Sequence, residues 1–342
     1  MTGLVKNPIK LIEKLSIPYK TLDPFLFCVY HKDLYPPGNE QMEPPRRGNG
    51  SDFDPNQDYR MYHGRRIPGF PQHPHRGFET ITGVMEGVID HSDSKGGAGR
   101  FGNGDLQWMT AGRGIVHGEN FPLVNQDKPN VNRFFQIWLN LPAKSKMVEP
   151  SYVMHWGEKI PVHVEDDGKA RVTIWAGELF GKKALPPTKD SWAADPAHHV
   201  GVFFIQLQPG GSFTFPASSS ATLNRTFYVS EGPLVQLAVS GTEVKDIQNN
   251  HCVQVDPLQP LVFKNPSESG QPVELLLLQG EPINEPIAKY GPFVMNTHAE
   301  IQEAFDEYRR TEFGGWPWDA DAVVFPREKG RFAIVNKKEI RP

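Results

Sequence analysis

The chain has 342 residues, with 36 Lys and Arg against 40 Asp and Glu, for a net charge of −4 with His neutral. That balance excludes nucleic-acid binding through a broad basic field, and two isolated cysteines, Cys28 and Cys252, exclude a disulfide scaffold, a zinc ribbon and a C-x-x-C redox centre. No apolar run approaches the roughly 20 residues of a membrane helix, and Met1 to Lys20, broken by Lys6, Lys10 and Lys14, has no signal-peptide core, so a soluble cytoplasmic protein without membrane association is expected.

Taken in chain order, residues 1–24 read as an N-terminal extension in which Ile9, Leu11, Ile12 and Leu15 would form one weak apolar helical face. Residues 36–66, with Pro36, Pro37, Pro44, Pro45, Gly48 and Gly50, repeat at neither 3.6 nor 2 and read as an insertion loop. From Phe70 to Leu141, short apolar or alternating runs are separated by Gly and Asp turns, the signal of strands at barrel or sandwich spacing. Pro142 to Pro161 reads as a linker, and a second set of short strands runs from Arg171 to Leu278. Phe78 to Gly87 (FETITGVMEG) can be laid on Leu223 to Gly232 (LNRTFYVSEG) at an offset of 145, which predicts a duplicated β-barrel. Thr297 and Glu300 form a capping box before Ile301, Ala304, Phe305 and Tyr308, which predicts a helix ended by Gly314 and Gly315. Beyond it, Trp316, Trp318, Phe325 and Phe332 predict a tail that packs rather than hangs free.

The chemistry concentrates at two pairs. His73 and His75 stand at i and i+2, and on an extended segment both point to one face. Forty-two residues after His75 come His117 and Glu119, again at i and i+2. Two such pairs on neighbouring strands can converge on one ion. Three imidazoles and a carboxylate suit Fe, Ni, Mn, Co or Cu better than a closed structural zinc site.

The segments HPHRGFETITGVMEG (His73 to Gly87) and GDLQWMTAGRGIVHGEN (Gly104 to Asn120) closely resemble the pirin family of the cupin superfamily. QIWLNLPAKSKMVEPSY (Gln136 to Tyr152), WAGELFG (Trp175 to Gly181) and AKYGPFVMNTHAEIQEAFDEY (Ala288 to Tyr308) extend the resemblance over roughly residues 20–313. It implies an all-β chain of two stacked cupin (jelly-roll) barrels with a short C-terminal helix. The metal-binding barrel would span 25–160, a barrel without metal 161–296, and the helix and tail 297–342. One iron per chain, Fe(II) or Fe(III), would be held by His73, His75, His117 and Glu119. Two activities are implied. One is a quercetin 2,3-dioxygenase-type enzyme that cleaves a flavonol with O2, Glu119 serving as ligand and general base. The alternative is a non-enzymatic, iron-dependent, redox-sensing transcription co-regulator that binds a protein partner, which adds a nuclear location.

Around these ligands, Phe78, Trp108, Met109 and Phe135 are candidates for an apolar substrate slot, with the barrel core as the competing reading. Arg76, Glu79, Asp105 and Gln107 are candidates for orienting the ligands, with turns and salt bridges as the competing reading. At the offset of 145, His73 and His75 fall on Ser218 and Ser220, and His198, His199 and His251 read as surface or core residues, so the second half is expected to be structural. The insertion, with Phe53, Tyr59 and Tyr62 among arginines, either overhangs the pocket mouth or is solvated and without a role.

Overall fold

The computed structural model describes residues 7–47, 51–239 and 243–342. Strand β1 (Ile9–Lys14) is followed by β2 (Phe25–Tyr35). The first set of strand signals gives β3 (Gly69–His75), β4 (Phe78–Glu86), β5 (Val88–Asp93), β6 (Ala98–Gly102), β7 (Leu106–Thr110), β8 (Ile115–Asn120), β9 (Asn130–Asn140) and β10 (Ser151–His155). The second gives β11 (Val162–Val164), β12 (Ala170–Ala176), the short β13 (Glu178–Leu179) and β14 (Lys182–Lys183), β15 (Gly201–Leu207), β16 (Ser212–Phe215) and β17 (Asn224–Glu231). It continues with β18 (Leu234–Val239), β19 (Glu243–Gln248), β20 (His251–Val255), β21 (Leu261–Lys264) and β22 (Val273–Gly280). A hairpin of β23 (Ala288–Tyr290) and β24 (Phe293–Met295) leads into helix α1 (His298–Thr311), and β25 (Phe332–Val335) and β26 (Lys338–Ile340) close the chain.

The residues gather into two units, one of 29–159 with 285–342 and one of the described part of 1–28 with 160–284. In the first, the sheets run β10-β7-β4-β9-β2 and β26-β25-β6-β5-β8-β3. Residues opposite each other on paired strands share a face. Val84, Met109, Phe134 and Tyr152 therefore meet Ile89, Phe101, Ile115 and Phe121 in one buried cluster, each such side chain contributing about 1.5–3 kcal/mol. The same inward faces carry Thr82, Gln107 and Gln136 on one sheet and His91, His117 and Glu119 on the other. On β8 the inward His117 and Glu119 are flanked by the apolar Ile115 and Phe121, so the polar groups form a patch within an otherwise apolar lumen.

The second unit repeats the plan with sheets β1-β20-β17-β22-β15-β12-β11 and β16-β21-β18-β19. The repeat read in the sequence extends to a local irregularity. Strand β4 shifts register between Val84 and Glu86 before Gly87 at φ +88°, and β17 does so between Val229 and Glu231 before Gly232 at φ +91°. Uniform spacing does not survive everywhere. Ser218 and Ser220 lie beyond β16, and the strand that pairs with β21 as β3 pairs with β8 turns Phe213 and Phe215 inward, against Leu261 and Phe263. The connection spans residues 76–77 between β3 and β4 but 216–223 between β16 and β17, so one offset cannot align both.

Two further expectations are corrected. The predicted helical face at the N-terminus is the strand β1, antiparallel to β20. An isolated single helical turn is costly to nucleate, whereas an open sheet edge offers ready-made hydrogen bonds. The predicted linker 142–161 contains β10, whose Tyr152 and Met154 pair with Met109 and Gln107. The capping box of α1 is formed: Glu300 N–H donates to Thr297 Oγ1 at 3.2 Å and Thr297 N–H to Glu300 Oε2 at 2.8 Å. The helix ends at Glu312 in the left-handed region, ahead of the predicted glycines.

Candidate metal centre

Strand β3 ends in His73-Pro74-His75 and pairs antiparallel with β8, which sets His73 opposite His117. Ligand atoms of His73, His75 and His117 all lie within 4.8 Å of one another. Ring centroids are 4.8 Å apart for His73 and His75, 4.4 Å for His73 and His117, and 5.0 Å for His75 and His117. Each β3 imidazole is oriented by a backbone carbonyl. Nδ1 of His73 is 2.9 Å from Pro71 O and Nδ1 of His75 is 3.4 Å from Pro292 O, so each Nε2 is left toward the cluster.

His117 is fully buried, and neither of its ring nitrogens has a hydrogen-bond partner. Leaving polar atoms buried and unpaired costs on the order of 1–3 kcal/mol, and a metal ion is a partner that removes that cost. Burial holds all three imidazoles neutral at ordinary pH. It pushes His73 down to about 4, and it pushes His75 and His117 well below the usual range, with the neighbouring imidazoles adding to the effect. Neutral imidazole is the metal-binding form. The donor set therefore fits a single transition metal. His73 keeps partial exposure while His75 and His117 are buried, so the cluster is reached from the His73 side.

Glu119 lies two residues along β8 on the same face, outside the three-histidine group. Its Oε2 accepts from Gln136 Nε2 at 2.6 Å and its Oε1 from Thr82 Oγ1 at 3.2 Å. Burial raises its pKa, while His91, Gln136 and Thr82 pull it back. His91 stands opposite Glu119 on β5, its Nε2 3.1 Å from Asp93 Oδ2 and its Nδ1 buried without a partner. Sequence spacing did not reveal Thr82, Gln136, His91 or Asp93 as neighbours of the site. The available signal was strand alternation, which places each of them on the lumen face once pairing is known.

The other candidates divide. Gln107 lines the lumen with its amide unpaired. Arg76 instead ties α1 down through Glu307 at 2.7 Å and lies over the Phe313 ring, and Glu79 accepts from Thr110 at 2.7 Å. Asp105 caps a turn, accepting from the N–H groups of Gly102 and Gly157 and from Arg331. Trp108 and Phe135 are fully buried and, paired with Ile81 and Gly83, lie on the face away from the histidines. Met109 is core, and Phe78 packs on His75 at 5.0 Å. The aromatic faces beside the cluster are instead Phe70, 6.3 Å from His73, and Trp138, 5.4 Å from His75, both partly exposed.

The insertion is anchored at its base while Phe53 to Asp58 are exposed. Met61 and Tyr62 are 1% exposed, Tyr62 donates to Asp33 Oδ2 at 2.7 Å, and Phe53 reaches Phe70 at 6.4 Å; residues 48–50 lie outside the described set. In the other unit, His198 stacks on Trp192 with Nδ1 2.7 Å from Trp192 O, and His251 Nδ1 is 3.0 Å from Asn249 O. Cys28 and Cys252 are free and buried. Among the described residues, no helix is long and apolar enough to cross a membrane.

The chain matches the family model described as Pirin over residues 18–139 and the Pirin C-terminal cupin domain over 202–314. A "Pirin-like protein" of Solanum lycopersicum is 39% identical over 70% of this chain and 75% of the relative. The "Putative quercetin 2,3-dioxygenase" of Pseudomonas aeruginosa is 36% identical over 71% of this chain and 79% of the relative. Among solved structures, a quercetin 2,3-dioxygenase from Acinetobacter baumannii is 27% identical with a TM-score of 0.66, covering 90% of this chain and 96% of that one. With its paired barrels, its three converging histidines and these relatives, the chain belongs to the pirin family of cupin proteins.

Proposed function

We propose that this pirin is an iron-dependent dioxygenase that opens the heterocycle of a flavonol such as quercetin with O2. The observation that carries the reading is the surroundings of the histidine cluster: a buried carboxylate on one side and two aromatic faces at its rim. Held by His73, His75 and His117 with Glu119 as the further ligand, iron would supply Lewis acidity toward a substrate oxygen and a redox partner for O2. Glu119 takes the proton of the flavonol hydroxyl. Burial favours its protonated form in the metal-free chain, the direction that suits a general base. Thr82 and Gln136 fix its orientation from behind. Phe70 and Trp138 offer the flat rings on which a polycyclic substrate stacks. Phe53, exposed and 6.4 Å from Phe70, supports a role for the insertion in substrate entry.

Relatives named for quercetin cleavage support the substrate class. The test is oxygen uptake by iron-loaded protein on adding quercetin, with carbon monoxide released in equal amount. Glu119→Gln is expected to slow turnover by about 10²–10⁴-fold, the usual worth of a positioned base. Stoichiometric iron without uptake on any flavonol would overturn the enzymatic reading.

A further inference from the structure

The match to the Pirin C-terminal cupin domain ends at residue 314, yet the chain beyond it stays on the metal-bearing unit. Its contacts follow an order. Asp321 receives both hydrogen bonds of Gln72 on β3, its backbone carbonyl from the N–H at 2.9 Å and its Oδ1 from Nε2 at 2.6 Å. Val323 O accepts from Asn120 Nδ2 on β8 at 3.1 Å. Phe325 N–H donates to Asp90 Oδ2 on β5 at 2.8 Å. Arg100 on β6 donates to the carbonyls of Phe325, Pro326 and Arg327 at 2.7, 2.9 and 3.2 Å. Trp318 Nε1 donates to Asp93 O at the end of β5 at 2.9 Å, and from Asp321 to Arg327 the segment crosses β3, β8, β5 and β6 in turn, about one strand for every two residues, as an extended chain laid across strands spaced about 4.8 Å apart does. Asp90 and Asn120 oppose each other on β5 and β8, and alternate with His91 and Glu119. The strap therefore lies on the face opposite the histidines. It then turns and joins the sheet itself, as β25 beside β6.

Strand β3 needs such support. It is an edge strand with β8 as its neighbour, its register shifts between Phe70 and His73, and Pro71 and Pro74 have no N–H to give. The Gln72 N–H between those prolines goes to the strap. Two of the three clustered histidines sit on this strand, either side of Pro74.

We infer that the tail from Trp318 to Arg327 is a positioning strap that holds β3 against β8, so that Gln72 and Asp321, which touch no ligand atom, set how tightly His73 and His75 hold a metal. This rests on the metal-centre reading above, and the experiment separates the two. Cobalt(II) is titrated into the full chain, Asp321→Ala, Asp321→Asn and Gln72→Ala, following the visible d–d bands and the dissociation constant. Asp321 is exposed, so its variants leave the fold intact, which apo-protein melting checks. Asp321→Ala and Gln72→Ala are expected to weaken cobalt(II) roughly fivefold each, with altered d–d intensity, and the double variant to be no weaker than either single one. Asp321→Asn keeps the carbonyl acceptor and should restore the unaltered affinity. If the unaltered chain takes up cobalt(II) and Asp321→Ala matches it in affinity and spectrum, the strap inference is overturned while the metal centre stands. If the unaltered chain takes up none, the metal centre falls and the strap's role with it.

Discussion

His117 has two buried, unpaired ring nitrogens, and its two β3 neighbours have their outer nitrogens tied to carbonyls. An interior arranged this way is unfavourable without a ligand, because each orphaned polar atom forfeits its hydration. His117→Ala should therefore abolish metal uptake in equilibrium dialysis while lowering apo-protein stability by less than about 2 kcal/mol, since the lost packing is partly offset by removing the orphans. Retention of stoichiometric metal would rule out His117 as a ligand. A second residue-scale device lies at the base of the insertion. Tyr62 gives its hydroxyl hydrogen to Asp33, so its oxygen accepts from His31 Nδ1–H at 2.7 Å. Burial, aided by Arg60, drives His31 down to about 3. The unfolded chain then binds a proton that the native chain refuses between about pH 6.5 and 3, so this contribution to stability is intact above 6.5 and lost as pH falls through that window. Urea denaturation should show His31→Phe with a shallower loss of stability than the parent between pH 6.5 and 4.5; parallel curves would contradict it. The histidine pairs were legible because the i, i+2 spacing is local. The His31–Tyr62–Asp33 link was not, because its members are brought together only by the closing of an irregular 36–66 segment.

At the scale of elements, turns decide where the ligand strands stand. Gly77 joins β3 to β4 at φ +85°, and a Cβ there would come 1.9 Å from Val294 O on β24. Neither the backbone conformation nor the space admits a side chain, because the nearest atom, Val294 O, belongs to the main chain of a paired strand. Gly77→Ala is expected to cost about 2–4 kcal/mol, read as a lower urea midpoint at unchanged slope. A change within about 0.5 kcal/mol would show that the hairpin gives way instead. Asp105 is the other such joint, taking two backbone N–H groups and Arg331 at once. Asp105→Ala should lower the midpoint by a comparable amount through the unmet donors it leaves. Strand identity was readable wherever alternation and a Gly turn coincided, as in β4 and β17. It failed at β1, whose IKLIEK run fits a helical stripe as well as a strand and is decided by the open edge of β20. It failed again at β10, hidden between prolines and specified by its pairing with β7.

Across the whole molecule, one plan is used twice with opposite interiors. The lumen of the second unit presents Phe213, Phe215 and Phe263 where the first presents His73, His75 and His117. Aromatic and aliphatic side chains stabilise the second barrel by burial and offer an ion no lone pair, while the first gives up part of that burial for donors. Metal should therefore bind at one equivalent per chain, and its stabilisation should be local. At a free concentration of about 100 times the dissociation constant the bound state gains roughly 2.7 kcal/mol. Hydrogen exchange with and without metal should slow for amides of β3, β5 and β8, and remain unchanged for β16, β18 and β21. A second equivalent bound with comparable affinity, or equal protection in both sets of strands, would mean that the apolar lumen is not what distinguishes the two barrels.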